Sequence, residues 1–215
     1  MTALSSLLLH VQRRLESLYA LEPQAPVTDF LLHEDEAAGL PGGGSRTLVT
    51  QEGDDVSLAV VLDGSVGECL ARSDPRVLLD AENLGPFCTL TEEVSHFVYL
   101  VFCARSARSV TQLELELQGE VDKYLSSAFL LSLQNEGAVS ARLRELIFRR
   151  YRLVENLSVE QAERYRAASG LAYTYCGWLE QRFLRPSRLA DLAREARRFY
   201  RLGQREKLEK IAELQ

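Results

Sequence analysis

Two short runs hold the side chains best suited to chemistry. Thr89-Leu90-Thr91-Glu92-Glu93-Val94-Ser95-His96-Phe97 places a carboxylate and an imidazole four residues apart, and Glu120-Val121-Asp122-Lys123-Tyr124 follows further along. On a helix, Glu92 and His96 project from one face and can converge on one metal ion. Glu93, beside Glu92, stands where a carboxylate can take a proton from water activated by such an ion. Glu120 supplies a third ligand if the next helix folds back antiparallel, which the short stretch Ala104–Arg108 allows.

The chain has three histidines, His10, His33 and His96, and none makes an H-E-x-x-H pair. The four cysteines, Cys69, Cys88, Cys103 and Cys176, show neither CxxC nor CxxH spacing. They read as reduced, mostly buried thiols of a cytoplasmic protein. The ligand set that remains, two carboxylates and one imidazole, is oxygen-rich. Zinc prefers nitrogen and sulfur donors, whereas manganese and iron accept more oxygen, so the set predicts Zn held weakly, Mn or Fe, or no metal. Glu93-Val94-Ser95-His96 also matches half of a di-iron bundle motif, but the second E-x-x-H that such a bundle needs is missing.

The surrounding elements must position these groups. Leu4, Leu7, Leu8, Val11, Leu15, Leu18 and Tyr19 follow helical spacing at the N-terminus. The runs 46–51 and 56–62, β-branched and joined by a Gly-Asp-Asp turn, predict a β-hairpin. A strand or short helix follows over 65–72, then a short strand over 76–80. Thr89 or Thr91 is expected to cap a helix reaching about Cys103, and Ser109 or Thr111 a second reaching about Leu133. Gly137 closes this region. Helices are then expected over about 139–154, 158–183, 187–201 and 204–214, with Ser158-x-x-Gln161 as a capping box. The fold class is therefore α+β: an N-terminal helix, a small sheet and a helix pair over 1–137, then an all-helical region over 138–215. No run reaches the roughly 18 uninterrupted apolar residues of a membrane span.

The first run resembles the T-L-x-H-E-x-x-H-F signature of ImmA/IrrE-type metallopeptidases, through Thr89, Leu90, Glu93, His96 and Phe97. The family's second signature, E-A-x-x-F-A, is similar at Glu120, Tyr124 and the apolar run Phe129-Leu130-Leu131. The resemblance covers roughly residues 3–133 and implies a bacterial zincin-like domain. In it Glu92, His96 and Glu120 hold the metal and Glu93 is the general base. Glu92 departs from the pattern by replacing the first histidine, which implies a degenerate site, either a metal-dependent peptidase or a pseudo-peptidase.

Charge divides along the chain. Residues 1–138 carry 8 basic and 21 acidic side chains, and 139–215 carry 17 and 10. Arginines interleave with aromatics in the basic part, a pattern that can track nucleic acid. The acidic pI of 5.3 disfavours that reading. Instead, Tyr165, Ala168, Ala172, Tyr175, Leu179 and Phe183 are expected to form one buried helix face, with arginines pairing to Glu155, Glu163, Glu180, Asp191 and Glu195. Leu208, Ile211, Ala212 and Leu214 make a further apolar stripe, for self-association or for docking on the domain itself. The second functional expectation follows: a non-catalytic regulatory protein that binds a protein or peptide partner through this arginine-rich region.

Overall fold

The computed structural model describes residues 2–32, 36–40, 42–53, 55–138, 140, 142–149 and 158–214. The fold is α+β with a helical C-terminal region, and the chain forms two compact units. The first comprises 1–17 and 21–109, and the second 18–20 and 110–215. His33, Arg150, Tyr151, Arg152 and Glu155, each cited above or part of an expected element, lie outside the described residues.

In the first unit, α1 (Ala3–Tyr19) buries Leu7, Leu8, Val11 and Leu15, the apolar face predicted from its spacing. Gln12 ties the helix to the following segment: its Nε2 donates to the Ala25 carbonyl at 2.9 Å and its Oε1 accepts from Val27 N at 2.8 Å. The hairpin forms as expected, from β2 (Arg46–Glu52) and β3 (Asp55–Val61), antiparallel from Arg46↔Val61 to Glu52↔Asp55. Gly53 turns it at φ 63°, a conformation costly for other residues. A two-residue strand β1 (Leu31–Leu32), not foreseen, adds in parallel to β3, giving the order β1-β3-β2.

Residues 64–72 take the helical option, α2 (Gly64–Arg72), capped by Asp63. The strand expected over 76–80 does not form. Asp74 grips Arg76 N and its guanidinium, while Asn83, fully buried, accepts from Asp80 N at 3.0 Å and donates to the Leu78 carbonyl at 2.8 Å. These side-chain bonds replace any ladder partner and leave Val77 and Leu78 exposed.

The long helix α3 (Leu84–Arg105) starts well before Thr89, so neither Thr89 nor Thr91 is its cap. Gly85 and Pro86 occupy its first turn, where proline's missing N–H costs nothing. α2, β2 and β3 all pack on α3. By length and hydropathy α3 passes as a membrane span, but 72% of its most apolar stretch is buried within the protein, as in a core helix.

In the second unit, α4 (Gln112–Gln134) is capped by Thr111, as predicted, and packs on α5 (Leu143–Arg149) and α6 (Val159–Leu179). The Ser158–Gln161 capping box is present. On α6, Ala168, Ala172, Tyr175 and Leu179 are buried, whereas Tyr165 is half-buried. The expected helix over 158–183 is not uniform: its last turn, 180–184, widens to a π turn. α7 (Leu189–Arg201) and α8 (Gln204–Ala212) complete the unit, and Ile211 is fully buried. Residues 18–20 belong here because Tyr19 stacks on Tyr200 with centroids 3.9 Å apart, and Arg197 Nε donates to the Leu18 carbonyl at 2.8 Å.

Candidate metal centre

α3 is buried on all sides from Leu90 to Leu100, so polar residues in that stretch need explaining, because burying an ionisable group is costly unless it is bound. Glu92, Glu93 and His96 are 7%, 6% and 6% exposed. The helix places Glu92 and His96 on successive turns of one face, as their spacing requires.

Glu93 is held from the sheet. Its Oε2 accepts a hydrogen bond from Thr47 Oγ1 at 2.7 Å and lies 3.7 Å from His96 Nδ1. Thr47 Oγ1 also lies 3.3 Å from the Glu93 carbonyl oxygen. Thr47 is paired opposite Val60, next to the buried end of β3, so the strand that carries it is fixed where it meets α3. Nothing in the local sequence marks Thr47, since the bond spans 46 residues.

α4, in the second unit, buries its own series of polar side chains. Glu120, 3% exposed, accepts from Lys123 Nζ at 2.9 Å. Gln118 Oε1 accepts from Lys207 Nζ at 2.9 Å, and Gln118 Nε2 donates to Asp122 Oδ1 at 3.2 Å. Asp122 also accepts from the Tyr19 hydroxyl. Burial and the Asp122 carboxylate together push the Tyr19 phenol well above its ordinary pKa. Glu116, one turn before Glu120, is 7% exposed.

Among the described residues, Glu92, His96 and Glu116 form a buried group able to hold a metal ion. Glu120 is not a member of it. Two carboxylates and an imidazole suit a divalent first-row ion, and the geometry does not select among such ions. Sheltered from water, these donors would also avoid competition from it.

No family model, curated protein or solved structure matches this chain. The site therefore has to be argued from its own residues.

Other sequence candidates find structural places. Cys88 lies inside α3 instead of ahead of it, and is buried. Cys176 is also buried, and burial raises its thiol pKa well above the ordinary value, opposite to what a nucleophile needs. The glycine cluster turns with positive φ at Gly42 and Gly44, and Ser45 Oγ accepts from Asp63 N at 2.9 Å, so it joins the hairpin to α2. In the basic region, Glu180 pairs with Arg144 and Arg185, Asp191 with Arg194, and Glu195 with Lys210, not with an arginine.

Proposed function

We propose that this chain binds a divalent transition-metal ion through Glu92, His96 and a carboxylate of α4, and hydrolyses a peptide or protein substrate with Glu93 as general base. The chain is thus read as a bacterial, cytoplasmic relative of the ImmA/IrrE metallopeptidases whose ligand set has drifted toward oxygen. The observation that carries the reading is Glu93: a buried carboxylate on the turn between Glu92 and His96, oriented by a 2.7 Å bond from Thr47.

A bound divalent ion supplies Lewis acidity, acidifying water and polarising a carbonyl oxygen. The protein's part is to place the base. Glu93 accepts the proton of the attacking water and passes it to the leaving amine, while Thr47 keeps the carboxylate from rotating away. His96 Nδ1 lies 3.7 Å from the Glu93 carboxylate, and Glu92 presents its own carboxylate one helical turn away.

Of the α4 carboxylates, Glu116 is the better ligand because Glu120 carries the Lys123 ammonium on one oxygen. Elemental analysis of protein prepared in metal-supplemented medium tests this. Near-stoichiometric metal is expected in the wild type, lost in His96→Ala and Glu116→Gln and retained in Glu120→Gln. Metal-free wild-type protein, or metal unaffected by His96→Ala, overturns the reading.

A further inference from the structure

The β2–β3 hairpin stays amphipathic beyond the point where the protein covers it. Opposed residues of an antiparallel pair share a face. One face therefore holds Thr47 with Val60, Val49 with Leu58 and Gln51 with Val56, while the other ends in Thr50 with Ser57 and Glu52 with Asp55. Thr47 bonds Glu93, so the first of these is the face turned to α3. Its inner end is covered, with Val60 fully buried. Its outer end is open: Val49 is 52% and Val56 40% exposed, and Leu58 is half-buried.

Single exposed valines need no explanation. Here they continue a covered face, and the reverse side of the same stretch is polar. Antiparallel strands alternate in this way where one side is covered and the other meets water. At the tip, Glu52 and Asp55 are exposed and directly opposed, and neither makes an ion pair or side-chain hydrogen bond among the described residues. Like charges facing each other across two strands are destabilising, and a cation placed between them relieves the repulsion.

We infer that the outer half of this face docks a polypeptide segment in which apolar residues are followed by arginines or lysines. The apolar side chains cover Val49, Leu58 and Val56, and the cations reach the Glu52 and Asp55 carboxylates. The open area fits a segment and not a second copy of the chain. It spans about 10 Å along the strands and about 10 Å across them, on the order of 100 Å², whereas a stable dimer takes roughly 800 Å² from each partner. On the reading proposed above the segment is the substrate, since Thr47, which holds Glu93, lies about 7 Å along β2 from Val49.

The test is an amide NMR titration of the isotopically labelled full chain with two synthetic peptides that share a leucine-rich core and end in arginines or in glutamates. The arginine peptide is expected to shift the amides around Val49 and Val56 and to bind at least about fivefold more tightly than the glutamate peptide. Val49→Thr/Val56→Thr keeps the branched shape and strand preference of these exposed positions while removing apolar surface. It should weaken binding of the arginine peptide at least about fivefold, as should Glu52→Gln/Asp55→Asn. His96→Ala should bind it like the wild type, which separates this outcome from that of the metal-site experiment. The proposal is overturned by no binding of the arginine peptide, equal affinity for the glutamate peptide, unchanged affinity in either double variant, loss of binding in His96→Ala, or shifts confined to other elements. Concentration-dependent shifts of the same amides without peptide would also overturn it, by showing that a second copy covers the face.

Discussion

Glu93 in the first unit and Glu180 in the second are both buried carboxylates at the meeting of several elements, and they are stabilised in different ways. Glu180 accepts from the Tyr124 hydroxyl at 3.0 Å and is paired with Arg185 at 2.6 Å and Arg144 at 3.5 Å. Its charge is balanced by permanent cations, and its work is to join α4 and α5 to the π turn. Glu93 has a hydroxyl and an imidazole as its close partners. Glu180 is tied by fixed ion pairs within the second unit, whereas Glu93 is oriented by a hydroxyl from the sheet, and the difference separates architecture from chemistry.

The largest expected effect lies on the Glu93 side. Glu93→Gln should lower metal-dependent peptide hydrolysis by about two to four orders of magnitude while bound metal stays at wild-type level. Assaying both on one preparation decides the matter, since loss of metal would make Glu93 a ligand and not a base. Next comes Glu180→Leu, expected to cost about 2 to 3 kcal/mol in urea unfolding because it strands the Tyr124 hydroxyl and Arg144. Metal content should not change. The figure sits at the low end for a broken buried pair because Arg185 is 55% exposed and water can take over its solvation.

A pH dependence at the alkaline end, far from working conditions, is the third expectation. Burial raises the pKa of Tyr19, Tyr124 and Tyr175 above the ordinary 10.0, aided by Asp122, by Cys176 and Glu180, and by Glu195 respectively. The folded protein therefore holds these protons more tightly than the unfolded chain. Their stabilisation is complete below about pH 10 and lost as pH rises beyond it, at about 1.4 kcal/mol per pH unit for each phenol. Urea midpoints measured across this range should fall, and Tyr124→Phe should make the fall shallower. An unchanged slope in that variant would show that the phenol is not held as described.

Much of this arrangement was legible locally. The hairpin followed from two β-branched runs around Gly53, the start of α4 from Thr111 and that of α6 from Ser158 and Gln161. Failures came where distant side chains decide the backbone. The start of α3 at Leu84-Gly85-Pro86 was missed because Thr89 and Thr91 offered caps further on, whereas the first turn tolerates glycine and proline and Asn83 anchors the preceding turn. The two-residue β1 is too short to leave a pattern, and its pairing with Val60 and Val61 is long-range. At the site, helical spacing was enough to put Glu92 and His96 on one face. It did not distinguish Glu116 from Glu120, since these are also four apart and share a face of α4. The Lys123 pair does distinguish them, and that is a fact of side-chain conformation.

That the end of α1 belongs to the second unit bears on the order of biosynthesis. Leu18 and Ala20 are made well before Arg197 and Arg201, which bind their carbonyls across 179 and 181 residues. The second unit is thus discontinuous in the chain and cannot close until residue 201 has been made. Contacts of such long sequence separation slow folding. An expression fragment beginning at residue 110 would also lack the Tyr19 ring that covers Tyr200, so a soluble second unit should require residues 18–20 to be supplied with it.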